Sequence, residues 1–284
     1  MFKPEDFTYF DAHVHLYPER LFRAVRQWFA TNSSWKIDYT TETDKIVQFL
    51  TEAQVERFFF FNYAHKAEMA ASLNAWNYEV ACRYPQAIAL GTVHAADSEL
   101  LGIANRCISE YGFPGFKIHT EVQRFSPDDE RLFGFYEMVI ENRAFVLMHV
   151  GTAPWANEHC GVDKFKKLMQ RYPDLKIVIA HMGLFESEKF FELLDIYPSM
   201  MFDTAMAFGP MAELHHNWNP EEIAKHVDRI LYGTDFPNLP YDYNQERLGL
   251  LNLELSKKDY QKIFYQNALS LLQSTKFFSK SENI

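Results

Sequence analysis

Eight short apolar runs recur along the chain, and each leads into a residue able to ligate, titrate or carry charge. The first closes on Asp11-Ala12-His13-Val14-His15, and the later ones lead to His65, His94, Lys117 with His119, His149, His181, Asp203 and Asp235. Side chains alternate faces along a strand, so Asp11, His13 and His15 are expected on one face, with Ala12 and Val14 on the other. Two imidazoles at i and i+2 can turn their nitrogens onto one cation, and a nearby carboxylate can orient or join them.

Between the runs the sequence reads as helix. Strands are expected at residues 8–15, 55–62, 88–93, 115–119, 145–148, 175–180, 200–203 and 229–232. Helices are expected at 19–31, from 44 on, 66–84, 98–111, 128–142, 162–172, 188–197 and 220–226, with closing helices at 248–255 and 258–272. Several helices stop at Pro85, Gly112, Pro173 or Pro198, as helix ends commonly do. Residues 206–218 read as irregular.

Strands apolar on both faces, Phe58-Phe59-Phe60-Phe61 above all, mark a parallel sheet covered by helices. The polar strand ends then select the architecture. In an eight-stranded barrel the C-terminal strand ends converge on one mouth, whereas an open doubly wound sheet gathers its site at a switch point. No GxGxxG or Walker pattern supports the open sheet. The expectation is a distorted (β/α)8 TIM barrel, an α/β fold, as one domain over residues 1–273 with a polar tail at 274–284.

Seven histidines at strand ends, with Asp235, exceed what core packing requires. Imidazole nitrogen and carboxylate oxygen suit Zn²⁺, and also Mn²⁺ or Fe²⁺. The motifs Asp11-Ala12-His13-Val14-His15, Gly115-Phe116-Lys117-Ile118-His119, His149-Val150-Gly151, Ala180-His181-Met182-Gly183 and Tyr232-Gly233-Thr234-Asp235-Phe236-Pro237 together resemble the amidohydrolase superfamily. More narrowly they resemble its amidohydrolase-related branch, which holds both hydrolases and nonoxidative decarboxylases. The resemblance runs from Thr8 to about Asn267.

That resemblance implies metal ligation by His13, His15, His149 and Asp235. It makes His181 a ligand in two-metal members and a neighbour of water or substrate in one-metal members. Lys117 would bridge two ions if carboxylated; one ion is favoured here, zinc by chemistry, with Lys117 and His119 orienting or contacting substrate. The reaction expected is hydrolysis of an ester, lactone or amide of a small organic acid, by a metal-activated water with Asp235 as general base. Nonoxidative decarboxylation on the same site is the alternative, and a non-catalytic barrel the distant one, because none of the ligands is missing.

Further substrate-contact candidates are His94, His65, Arg124, Trp155, His215, His216 and Tyr241. Each sits after a strand on the face that would form the mouth. The bland alternatives are a hydrogen-bonded wall residue for His65 and His94, and a surface loop for His215 and His216. Asp203 supports a histidine or is structural.

Composition narrows the partners. A net charge of −10 over 284 residues, with lysine and arginine scattered, disfavours nucleic acid and anionic membrane. A cation in the mouth favours an anionic small molecule. Three widely spaced cysteines suggest neither a disulfide framework nor a metal site, and point to a reducing compartment, the cytoplasm. The first residues resemble no secretory signal, and no apolar run is long enough to span a bilayer. A homodimer is the default that the resemblance implies.

Overall fold

The computed structural model describes residues 2–152, 157–211 and 217–276. All eight expected strands form: β1 (Tyr9–His15), β2 (Val55–Phe61), β3 (Ala87–Ala89), β4 (Gly115–His119), β5 (Phe145–His149), β6 (Ile177–Ile179), β7 (Met200–Asp203) and β8 (Ile230–Leu231). Every ladder is parallel, in one sheet of order β1-β2-β3 and one of order β4-β5-β6-β7-β8.

Two seams join the sheets. At one, Gly91 bridges to Phe116, with Gly91 N donating to Gly115 O at 2.9 Å and Lys117 N to Gly91 O at 2.8 Å. At the other, Val14 bridges to Phe236, flanked by Ala12 N to Tyr232 O at 2.7 Å and Asp235 N to His13 O at 2.8 Å. The fold is therefore a distorted (β/α)8 barrel whose wall is two sheets spanned by isolated bridges rather than one continuous ladder.

Helices α1 (Glu19–Asn32), α2 (Thr43–Glu52), α3 (Ala70–Arg83) and α4 (Leu100–Ser109) follow the first strands. The rest are α5 (Thr120–Gln123), α6 (Phe133–Glu141), α7 (Val162–Arg171), α8 (Ser187–Ile196), α9 (Pro220–Lys225), α10 (Asn244–Leu251), α11 (Lys257–Gln261) and α12 (Asn267–Gln273). Among the described residues no helix is long and apolar enough to cross a membrane.

Phe10, Phe59, Phe145, Leu147, Val178 and Leu231 form a fully buried cluster, distinct from the shell packed under the helices. Ala268, Leu271 and Leu272 of α12 join it. This packed interior is what a barrel of eight strands should contain, so the polar strand ends are left for the opposite end.

Four local expectations are corrected. The helix expected from residue 66 starts at Ala70 because Glu68 takes a left-handed φ of 66° and its N–H donates to Asp97. The helix expected at 128–142 shortens to α6, preceded by a 3-10 turn at Glu130–Leu132 that Asp129 caps. The last helix is interrupted by a π turn over Lys262–Gln266.

The fourth correction bears on the site. Asp11 pairs with Phe58 but Val14 with Phe60, so β1 carries one extra residue against β2. Such a bulge re-aims side chains. Phe10 and Ala12 belong to the inner cluster and Tyr9 and Val14 to the outer one, while His13 and His15 line the mouth. Asp11 does not share their face; it turns to the seam and meets Thr234.

Candidate metal centre at the barrel mouth

Beyond the bulge, His13 and His15 project from the end of β1 toward Asp235. Asp235 follows β8 with a left-handed φ of 74°, held there as its N–H donates to His13 O. Its Oδ1 lies 3.0 Å from His13 Nε2 and 3.0 Å from His15 Nε2. One ligand atom from each of the three residues falls within 4.8 Å of the others, and all three residues are buried.

This donor set suits a divalent ion. Metal–ligand bonds of about 2.0–2.2 Å place neighbouring donors roughly 3.0–3.5 Å apart, the separation that Asp235 Oδ1 already has from each imidazole nitrogen. The far nitrogens are occupied in the way ligating imidazoles require. His13 Nδ1 faces Asp203 Oδ2 at 2.8 Å, and His15 Nδ1 faces the Tyr17 hydroxyl at 2.9 Å. Asp203, fully buried, also accepts from His181 N at 2.9 Å and Ala205 N at 3.1 Å, so one carboxylate fixes two strand ends.

His181 sits in a turn where residues 181–184 all have positive φ. Its Nδ1 faces Ala205 O at 2.8 Å, which leaves Nε2 for the mouth. Its ring is 4.8 Å from that of His13 and 4.7 Å from that of His149. Gly183 is required in this turn: a Cβ there would lie 2.3 Å from a Phe190 ring carbon.

His119 and His149 stack, 4.0 Å apart and 7° from parallel. Lys117 is buried, its Nζ 3.4 Å from His13 Nε2 and 4.6 Å from the Phe61 ring centroid. Among the described residues no carboxylate lies within ion-pair distance of that ammonium.

Charge states follow from burial and neighbours. Burial alone would raise the Asp235 carboxyl, but the His15 and His13 rings outweigh it and hold it well below the usual range. Burial pushes His15 and His181 down to about 4, and takes His119 and His149 well below their ordinary value. Burial also lowers Lys117, to about 8. For His13 burial and Lys117 push down, yet the Asp203 and Asp235 carboxylates prevail and its pKa is raised. At neutral pH the mouth thus holds an anionic Asp235 beside the neutral rings of His15, His119, His149 and His181, while the two carboxylates favour the protonated form of His13.

The centre opens into a cavity of about 850 Å³. One wall is α1, which contributes Leu21, Val25, Trp28 and Phe29; Trp35, Tyr17 and Tyr63 add aromatic surface. His65, Lys66 and Arg124 line it with Lys117 and His119.

Of the residues singled out from sequence, His13, His15 and Asp235 form the group, while Lys117, His119, His149, His181, His65 and Arg124 line the same cavity. His94 stands apart, its ring 5.7 Å from Phe125 and its Nδ1 accepting from Ala96 N. Tyr241 turns from the cavity to donate to Glu246. Trp155, His215 and His216 lie outside the described residues. Sequence reasoning missed the α1 wall, Tyr17 and Lys66. Tyr17 was legible in principle, because it continues the i, i+2 series from His13 and His15.

A (β/α)8 barrel with two imidazoles and a carboxylate converging at its mouth defines a class of candidate metal-dependent enzymes, and known proteins narrow it. The amidohydrolase family pattern matches residues 10–273, so the chain belongs to the amidohydrolase family. No curated protein matches the sequence.

Solved structures share the fold at low identity. An uncharacterised TIM-barrel protein from Bordetella bronchiseptica superposes with a TM-score of 0.73 at 18% identity, covering 94% of this chain and 99% of that one. A 5-carboxyvanillate decarboxylase from Novosphingobium aromaticivorans, solved with manganese, gives 0.68 at 15% identity over 94% and 97%. A 4-oxalomesaconate hydratase from Rhodopseudomonas palustris gives 0.64 at 16% identity over 97% and 99%.

Proposed function

We propose that the chain is a metal-dependent hydrolase of a small organic acid derivative, an ester, lactone or amide. One observation carries this: the carboxylate of Asp235 lies 3.0 Å from two imidazole Nε2 atoms, and all three residues line one cavity. His13, His15 and Asp235 would hold one divalent ion, with His149 as a further ligand; zinc fits the donors and manganese is the alternative. When bound, the ion acidifies water and polarises a carbonyl.

The chain's own residues supply the remaining functions. Asp235, kept anionic, takes a proton at its carboxylate from the attacking water. His181 presents Nε2 toward the same space and orients that water or the developing oxyanion. Lys117, a cation with no carboxylate partner among the described residues, holds an anionic group of the substrate, and His119 orients it. One ion is proposed rather than a pair bridged by carboxylated Lys117.

A second reading, nonoxidative decarboxylation, is supported by the cavity lining. Lys117, Lys66 and Arg124 can meet a carboxylate while Trp28, Phe29 and Tyr63 face an aromatic ring. The fold likeness includes decarboxylases of 5-carboxyvanillate and of 2,6-dihydroxybenzoate. In either case the substrate is a small anion, and the expected setting is a cytoplasmic homodimer.

The test is turnover by metal-depleted and metal-reconstituted protein on a panel of lactones, aryl esters and hydroxybenzoates, with acid release and CO₂ followed separately. Acid without CO₂ supports hydrolysis, and CO₂ supports decarboxylation. Equal rates with and without metal would contradict both.

A further inference from the structure

Asp11 is fully buried, and four donors converge on its side chain. His13 N and Thr234 N reach Oδ1 at 3.0 and 3.1 Å; Thr234 Oγ1 and the Tyr243 hydroxyl reach Oδ2 at 2.6 and 3.0 Å. No cation pairs with it among the described residues. The arrangement has a location that matters: Asp11 is the last paired residue before the extra residue of β1, on the seam where that strand meets the segment after β8.

The bulge decides which way His13 faces. Without the extra residue, strict alternation from Phe10 and Ala12, which point inward, would send His13 outward. The inserted residue frees one backbone N–H from the β2 ladder, that of His13, and Asp11 Oδ1 accepts it. The same oxygen accepts Thr234 N, and Thr234 precedes Asp235. One carboxylate therefore fixes both halves of the metal group, the peptide that carries His13 and the peptide that leads to Asp235.

We propose that Asp11 is the positioning residue of the metal centre: by holding the β1 bulge against Thr234 it turns His13 into the mouth and sets Asp235 across from it. The inference rests on the metal-site reading above. It assigns Asp11 no contact with ion or substrate, so its effect is on affinity and coordination geometry.

Zinc affinity, by competition with a chromophoric chelator, and the visible spectrum of the Co²⁺-loaded protein test it. Asp11→Ala removes all four acceptor contacts and is expected to weaken Zn²⁺ binding about 10–100-fold and to change the Co²⁺ spectrum. Asp11→Asn keeps Oδ1 for His13 N and Thr234 N and should stay within about threefold of the parent, the remainder of that loss being rescued. Leu168→Ala, a buried change in α7 far from the seam, should lower Tm and leave Zn²⁺ affinity unchanged.

Folded Asp11→Ala with parental affinity would overturn the proposal, as would Leu168→Ala losing as much affinity. If Asp11→Ala does not fold, Thr234→Val decides: a loss of about tenfold or more supports the proposal, and parental affinity overturns it. A parent that takes up no divalent ion overturns the metal reading and this inference together, whereas a binding parent with unaffected variants overturns this inference alone.

Discussion

At His13 two demands meet on one ring, with Nδ1 toward Asp203 Oδ2 at 2.8 Å and Nε2 toward Asp235 Oδ1 at 3.0 Å. The first interaction fixes the tautomer, leaving Nε2 with its lone pair for an ion. Asp203→Asn puts an amide where that proton is accepted and is expected to weaken Zn²⁺ binding about 10–100-fold, read by chelator competition. Asp235→Asn should keep the fold, by circular dichroism, and lower kcat about 10²–10⁴-fold, because the general base is gone. Parental kcat in that variant would remove Asp235 from the chemistry. The histidines and Asp235 were legible as site residues from residue type and position at strand ends. Asp203 was legible as a support for a histidine; that the histidine is His13 was not, since a pair 190 positions apart in the chain leaves no local pattern.

Among the elements, the segment after β7 depends on a buried carboxyl of α10. Glu246 accepts Phe208 N at 3.2 Å and the Tyr241 hydroxyl, with almost no exposure to solvent. Burial raises its pKa from 4.5 to about 8, against the opposing pull of those two hydrogen bonds. The folded chain thus binds this proton more tightly than the unfolded one. Its stabilising contribution is intact below pH 4.5 and is lost as pH rises through about 8. Glu246→Gln should therefore show a flatter Tm against pH across that window, measured by thermal melts; an unchanged slope would place the titration elsewhere. The eight strands could be read from sequence because burial on both faces leaves short, largely apolar runs that end in polar residues. The β1 bulge and the left-handed turn at 181–184 could not. Both are imposed by tertiary partners, Thr234 across the seam for one and Asp203 with Phe190 for the other.

For the whole molecule, stability and function divide between the two ends of the barrel. The inner apolar cluster and α12 close one end, and the other is left polar and walled by α1. Phe22 is the only fully buried residue of α1; Leu21, Ala24, Val25, Trp28 and Phe29 line the cavity, Leu21 and Val25 also touching the core. Few buried contacts mean a low opening free energy, so amides of α1 are expected to exchange with deuterium much faster than those of β5, by mass spectrometry. Equal protection would show that α1 is part of the rigid frame. Sequence indicated a barrel and its mouth, but which helix walls the site depends on how α1 lies over the strand ends, and amphipathic spacing does not encode that.

The central claim is that His13, His15 and Asp235 hold a divalent ion, and elemental analysis of the purified chain, parent beside His15→Ala, tests it most directly. About one equivalent of zinc or manganese per parent chain is expected, as one closed set of ligands takes one ion, and a large loss in the variant with the fold intact. A parent that neither carries nor takes up an ion, or a folded His15→Ala that retains it in full, would contradict it.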